Sequence, residues 1–161
     1  MITTTTKQSE ISVGMGQIAV IETPCVGRTV LGSCIGLALS HPGRKLGVLA
    51  HIVLAERANR SGAPGKFADS AIPHMLQLLA KEGIGPRGLT AKLAGGANMF
   101  GGGGPIQIGE ANYRAVRNLL EQHCIEVVGE HVGGGKGRRI TYDPGAGTLT
   151  VEIVGEDPIV L

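Results

Sequence analysis

The chain is poor in aromatic residues, with two Phe, two Tyr and no Trp among 161 positions. Base stacking on single-stranded nucleic acid, which needs aromatic platforms, is therefore excluded as a main activity. Its three cysteines, Cys25, Cys34 and Cys124, form no CxxC pair, and its five histidines do not fall at zinc-finger spacing. A disulfide scaffold, a dithiol redox centre and a structural zinc site are all disfavoured. No basic-then-apolar leader opens the sequence, and no apolar run approaches the roughly 18 residues of a membrane span. A cytoplasmic, reducing setting is expected, in which a thiol stays available for chemistry. The formal charge of +2 gives no electrostatic steer toward a partner.

What is abundant is glycine, 27 residues, well over twice the usual share of about 7%. Tight turns and close backbone approaches follow. With few aromatics, the core must be built from Val, Ile, Leu and Ala. A chain of this length supports one domain. Residues 1–12, opening with four threonines in a row, read as a mobile arm, and residues 13–161 as the folded domain.

Residues 29–51, TVLGSCIGLALSHPGRKLGVLAH, carry the strongest chemical signal. From Ser33 onward, Ile35, Leu37 and Leu39 point one way and Cys34, Gly36, Ala38 and Ser40 the other. His41, Pro42, Gly43 and Arg44 form a four-residue hairpin loop with Pro-Gly at its centre. If Ser40 pairs with Lys45, Ile35 faces Ala50, Leu37 faces Val48, Leu39 faces Leu46, and Cys34 lies directly opposite His51. The Cβ atoms of such a pair are about 4.5–5.5 Å apart, within reach of a thiolate–imidazolium contact. Gly36 and Ala38 leave room on that face for a substrate chain or another backbone.

A free cysteine is mostly protonated at neutral pH and becomes a good nucleophile beside a cationic or dipolar neighbour. The sequence after Cys34 reads as strand, so no helix dipole activates it. The burden falls on His51 as base and acid, and on backbone N–H groups of the Gly32-Ser33-Cys34 turn as an oxyanion hole. A third group should fix the imidazole tautomer, and Thr29 is near in sequence.

Elsewhere, residues 16–22 read as a strand, and residues 56–66 as a polar loop that could rim a site. A helix follows, with Asp69 or Ser70 as N-cap, Pro73 in its first turn and Gly83 as its stop. His74 and Met75 on it read as structural. Residues 89–94 read as a strand running into a glycine-rich loop over residues 95–104. That loop lacks the Gly-Lys-Ser/Thr of a P-loop and the GxGxxG of a dinucleotide fold, so loop architecture is preferred to a phosphate cradle. A second helix covers residues 110–123, with Val116, Leu119 and Leu120 as its apolar stripe. Asn112 faces the sheet, where it is expected to bond the glycine-rich loop, and Cys124 is expected to pack. Residues 125–132 read as a strand, and residues 140–142 and 148–154 as a hairpin. Lys136, Arg138 and Arg139 read as a solvated basic loop. With about six strands, two helices and no continuous βαβ rhythm, the fold class is α+β, with layered mixed or antiparallel sheets.

Taken together, Thr29-Val-Leu-Gly-Ser-Cys34, Ala50-His51, Gly65-Lys66-Phe67-Ala68-Asp69, Ala94-Gly95-Gly96-Ala97-Asn98-Met99-Phe100, Ile108-Gly109 with Asn112, and Gly133-Gly134 with Gly137-Arg138 resemble the CheD family of chemoreceptor glutamine deamidases. The likeness runs in order from Gly14 to Val154. Relatives usually continue with Leu-Pro where this chain has Leu54-Ala55. The resemblance implies a hydrolase that converts receptor glutamines to glutamate through a cysteine thioester. Cys34 would be the nucleophile, His51 the general base and acid, and Thr29 the third member, with Gly32 and Ser33 supporting the site and no metal or organic cofactor. It further implies a fold related to the catalytic domains of deamidating toxins, chemoreceptor cytoplasmic domains as substrate, and a CheC-type phosphatase as partner. Two other readings use the same residues. One is a non-catalytic chemotaxis module that docks and regulates a CheC-type phosphatase; the other is a thiol redox protein, which lacks a resolving cysteine here.

Overall fold

In a computed structural model that describes residues 8–99 and 107–161, the chain folds in the order β1 (Glu10–Ser12), β2 (Ile18–Glu22), β3 (Val26–Leu31), β4 (Ile35–Ser40), β5 (Leu46–Ile52), α1 (Ala68–Lys81), β6 (Thr90–Gly95), α2 (Ile108–Gln122), β7 (Glu126–Val132), β8 (Arg138–Asp143), β9 (Thr148–Glu152) and β10 (Ile159–Val160). One sheet has the order β1-β3-β8-β9-β10 and the other β2-β5-β4-β6-β7. Both are mixed: β1 runs parallel to β3, and β6 runs parallel to β7 across the α2 crossover, while the remaining pairs are antiparallel. The fold is a single α+β domain.

Three layers result from the two faces of the second sheet. Ile35, Leu37, Leu39, Val48, Ala50 and Ile52 form one cluster with Ala71, Ile72, Met75 and Leu79 of α1 and Val116 and Leu120 of α2. On the other face, Ala38, Leu49 and Ala94 pack against Leu31, Ile140, Tyr142, Leu149 and Val151 of the first sheet. Every residue of β5 is buried, so this strand is the centre of the molecule. Ten strands are present among the described residues, more than the six or so expected. Within the stretch expected to be an arm, residues 1–7 lie outside the described residues, and Glu10–Ser12 pairs with β3. The unexpected long strand is β3 itself. Its inward positions are Gly27, Thr29 and Leu31, and glycine at the first lets the sheets approach closely, because a Cβ there would sit 2.9 Å from Leu49 Cδ2 and push that side-chain tip aside. A glycine and a threonine at inward positions hide the alternation by which strands are read.

The hairpin forms, but its register differs from the expected one. Ser40 pairs with Gly47, Leu39 with Val48, Leu37 with Ala50, Gly36 with His51 and Ile35 with Ile52. Lys45 does not pair with Ser40, because its carbonyl accepts from the Thr23 N–H and its Nζ donates to the Gly145 carbonyl. The slip is two residues, so each side chain keeps its face.

The start of α1 also departs from expectation. Phe67 is the N-cap residue and offers no side-chain bond. Asp69 instead accepts from the Arg57 N–H, and Ser70 Oγ donates to the Pro64 carbonyl at 2.6 Å. Both side chains tie the preceding loop to the helix. Pro73 therefore falls at the sixth helical position, past the first turn, while Gly83 ends the helix at φ +78 as expected. Among the described residues, no helix is long and apolar enough to cross a membrane.

Candidate active site

His51 projects from β5 into the space between the sheets and is 3% exposed. Strand β3 crosses above it, with Gly27 over Leu49 and Thr29, two residues further along, over His51. The Thr29 hydroxyl and His51 Nδ1 are hydrogen-bonded at 2.7 Å. The threonine is itself only 6% exposed, so this polar pair is largely withdrawn from solvent. A buried ring nitrogen without a partner would cost about 1–3 kcal/mol, and Thr29 removes that cost at Nδ1. Nε2 is buried as well, yet it has no hydrogen-bond partner among the described residues. Burial pushes the His51 pKa down, and the Val13 backbone beside the ring partly opposes the shift.

The main-chain groups of His51 both turn toward β2: its N–H donates to Gln17 O at 3.0 Å, and its carbonyl accepts from Gly16 N at 2.9 Å. Gly36 and His51 are therefore a non-hydrogen-bonded pair on the β4 side, the closer type, with Cα atoms about 4.5 Å apart. Cys34 lies two residues before Gly36 on the same face, so it sits diagonal to His51 and not opposite it. Diagonal neighbours are about 7–8 Å apart between Cα atoms. No hydrogen bond joins the thiol to the imidazole. The thiol is half-buried, and burial pushes its pKa up. Both shifts, caused by burial, favour the neutral forms of the two groups.

The turn that carries Cys34 is held from three sides. Gly32 O accepts from Ala97 N at 3.0 Å, Cys34 O from Gly96 N at 2.9 Å, and Ser33 O from Asn112 Nδ2 at 3.0 Å. Gly95, at φ +113, brings its backbone so near that a Cβ would lie 2.1 Å from Cys34 O. Gly109, at the start of α2, fits against the carbonyls of Gly96 and Ala97, where a Cβ would be 2.5 Å from each. Residues 95–97 of the glycine-rich stretch thus form the bed of the Cys34 turn. Phe100 and the remaining glycines of that stretch lie outside the described residues. Among the described residues, Asn112 Nδ2 donates to Ser33 O and Val53 O; the expected bond to the glycine-rich loop falls largely on residues outside those described.

The space beside Gly36 is not open to substrate. A Cβ there would meet Ile140 Cδ1 at 2.5 Å and Leu31 Cδ1 at 2.9 Å, so the first sheet fills it. Access to the Thr29–His51 pair comes instead from a groove of about 390 Å³ lined by Val13, Met15, Arg28, Val30 and Arg139 together with the pair. Met15 and Val30 are exposed on its rim. The residue 56–66 loop reaches this region through Gly65, packed against the backbone of Gly16, whose N–H bonds the His51 carbonyl.

Arg138 was expected in a solvated loop, and it is 3% exposed. Its guanidinium donates to the carbonyls of His131 and Gly133. The neighbouring Gly134 carbonyl accepts from Asn98 N at 2.8 Å, so Arg138 braces the turn against which the Cys34 bed rests. A charged group in a glycine-rich segment looks solvated, and only the carbonyls that converge on it reveal otherwise. Cys25 is half-buried at the edge of the inter-sheet core. Cys124, expected to pack, is exposed at φ +57 just past the end of α2.

A sequence profile described as CheD chemotactic sensory transduction matches residues 53–153. The probable chemoreceptor glutamine deamidase CheD of Desulforamulus reducens is 38% identical over 153 residues, covering 91% of this chain and 92% of that protein. The chemoreceptor glutamine deamidase CheD of Thermotoga maritima is 37% identical over 144 residues, 89% of this chain and 91% of its own length. The chain belongs to the CheD family. The profile begins after His51, but the uncovered part of the chain in the first of these alignments is shorter than the 28 residues preceding Thr29. The CheD alignment therefore takes in Thr29, Cys34 and His51.

Proposed function

We propose that this CheD-family chain is a cytoplasmic protein-glutamine deamidase that hydrolyses glutamine side chains of chemoreceptors to glutamate and releases ammonia. The observation that carries the reading is the Thr29–His51 hydrogen bond at 2.7 Å with Nε2 left unbonded on the face shared with Cys34. With Nδ1–H donating to Thr29 Oγ1, the lone pair lies on Nε2, where a general base needs it. Neutral imidazole and neutral thiol are the reactants for such a step.

As a glutamine carboxamide enters, Cys34 gives its proton to Nε2 and the sulfur attacks the amide carbon. Backbone N–H groups of the residue 32–34 turn stabilise the oxygen that takes up the charge. The imidazolium returns its proton to nitrogen as the C–N bond breaks, and ammonia leaves. Water, deprotonated by His51, then attacks the thioester, which yields glutamate and the free thiol. The net change is glutamine plus water to glutamate plus ammonia. Closing the diagonal gap falls to rotation of the cysteine side chain once substrate is bound, since catalytic contacts commonly tighten only in the substrate complex.

The same reading includes docking of a CheC-type phosphatase and kinship of the fold with the catalytic domains of deamidating toxins; the family resemblance of the sequence supports both. Cys34→Ala tests the enzymatic part. Incubated with purified receptor cytoplasmic fragments, the wild type should release ammonia and add roughly one dalton per converted glutamine, the mass change of amide to acid. The variant should do neither, while still binding the phosphatase. Equal deamidation by the variant would remove Cys34 as nucleophile. No deamidation by either protein would favour the docking module.

A further inference from the structure

We propose that Asn112 is a positioning residue that aims the Cys34 backbone N–H as the oxyanion donor and fixes the spacing between the nucleophile turn and the histidine strand. The inference rests on Cys34 being the nucleophile. It begins with the peptide unit joining Ser33 to Cys34. In a planar trans peptide, C=O and N–H point in opposite directions. The Ser33 carbonyl is drawn toward the helix layer by Asn112 Nδ2, so the Cys34 N–H points the other way, toward the inter-sheet side where Cys34 packs.

Among the described residues that N–H is unclaimed. The ladder between Cys34 and Gly96 contains only one of the two bonds that an antiparallel pair makes, from Gly96 N to Cys34 O. The Gly96 carbonyl, which would accept the other, leans instead against Gly109 of α2. Among the described residues neither the Cys34 nor the Ser33 N–H has a hydrogen-bond acceptor. Two adjacent free N–H groups at a nucleophile, in a turn whose three carbonyls are all bonded, have the arrangement an oxyanion hole requires. The nucleophile's own N–H is a usual member of such a hole.

The second hydrogen of the Asn112 amide donates to Val53 O at 2.9 Å, two residues beyond His51. One side chain, 1% exposed, thereby ties the turn bearing the thiol to the end of the strand bearing the imidazole. Asparagine supplies a fork of two donors for two carbonyls. Aspartate, of the same shape, would present oxygens to both and repel them.

The test compares wild type with Asn112→Asp and Asn112→Ala, using receptor fragments for turnover and iodoacetamide for the thiol. Alkylation needs the thiol and no oxyanion donor. Loss of oxyanion stabilisation should lower kcat by about 10²–10³-fold, leave KM for the receptor fragment little changed, and leave the Cys34 alkylation rate within a few-fold of wild type. Parallel losses of turnover and alkylation would overturn the proposal, as they would mark a merely structural role. So would full activity in either folded variant. The wild type supplies a measurement independent of variant folding. A peptide carrying the aldehyde of the glutamine side chain should form a hemithioacetal with Cys34 and move its amide proton downfield further than carbamidomethylation does; an equal or smaller move overturns the proposal. Failure of the wild type to deamidate any receptor fragment counts against the function, whereas the amide shift still decides whether the N–H is an oxyanion donor.

Discussion

Strands β4 and β5 present two unlike faces. Toward the helices they carry Ile35, Leu37, Leu39, Val48, Ala50 and Ile52, all large or tightly fitted aliphatics. Toward the first sheet the same strands carry Gly36, Ala38, Leu49 and His51, with Cys34 just ahead of β4 on that side. The helix-side face has only rotamers and volumes to satisfy, whereas the inter-sheet face must also accommodate a titratable ring. It does so because β3 brings a hydroxyl to Nδ1 and because Gly27 and Gly36 let the sheets approach. The site is thus a polar inclusion in one face of a strand pair whose other face anchors it. If that division holds, damage to the helix-side face should appear as lost stability, and damage to the inter-sheet face as lost activity.

Leu37→Ala should have the largest effect on stability. Leu37 is fully buried at the centre of the helix-side cluster, and truncation there costs about 2–5 kcal/mol. Urea unfolding should show the midpoint fall, while deamidation per folded molecule stays near wild type. A tenfold activity loss at unchanged stability would show that the two faces are not separable.

Gly36→Ala comes next and probes the other face. Its Cβ would fall 2.5 Å from Ile140 Cδ1 and 2.9 Å from Leu31 Cδ1, so side-chain tips must move between the sheets. Overpacking of this kind costs about 1–3 kcal/mol. Gly36 is the partner of His51 and separates it from Cys34 along β4. Turnover measured on the folded fraction should therefore fall in Gly36→Ala by more than it does in Leu37→Ala. An equal or smaller fall would show that the inter-sheet spacing does not set the geometry of the pair.

This division of faces was legible in the sequence, and much of its detail was not. The alternation through residues 33–40 assigned each side chain to its correct face. It could not fix the register, because a period of two is satisfied equally by any slip of two residues. What chose the register was remote: β2 pairs along β5, with Leu46 opposite Glu22, and Lys45 is engaged by Thr23 and Gly145. The direct Cys34–His51 pairing thus became a diagonal one. Strand β3 was hidden by Gly27, whose bare inward position is a demand of packing against Leu49. Asn112 was correctly turned toward the sheet, but its acceptors are 79 and 59 residues away in sequence. The burial of Arg138 is hidden for a different reason: its acceptors lie only seven and five residues away, but they are main-chain carbonyls, which leave no mark on composition. Thr29 came from proximity in sequence and from family likeness, and its contact with His51 depends on a strand crossing that neither local pattern nor spacing encodes.

The smallest effect expected is on the pH dependence of stability, and it separates the two faces without touching activity. Burial holds the folded-state pKa of His51 below its usual 6.5, so the unfolded chain binds this proton more readily than the folded one. The stability associated with neutral His51 is fully present above 6.5 and is lost as pH falls through the lower folded value. Urea midpoints measured from about pH 7.5 down to about pH 5 should decline in the wild type. They should decline by the same increment in Leu37→Ala, whose lesion lies on the opposite face, and by a smaller increment in His51→Gln, which has no ring to protonate. Parallel curves for wild type and His51→Gln would show that the buried imidazole is not what couples this face to pH. A changed slope in Leu37→Ala would show that the helix-side cluster sets the burial of His51, and that the two faces act as one.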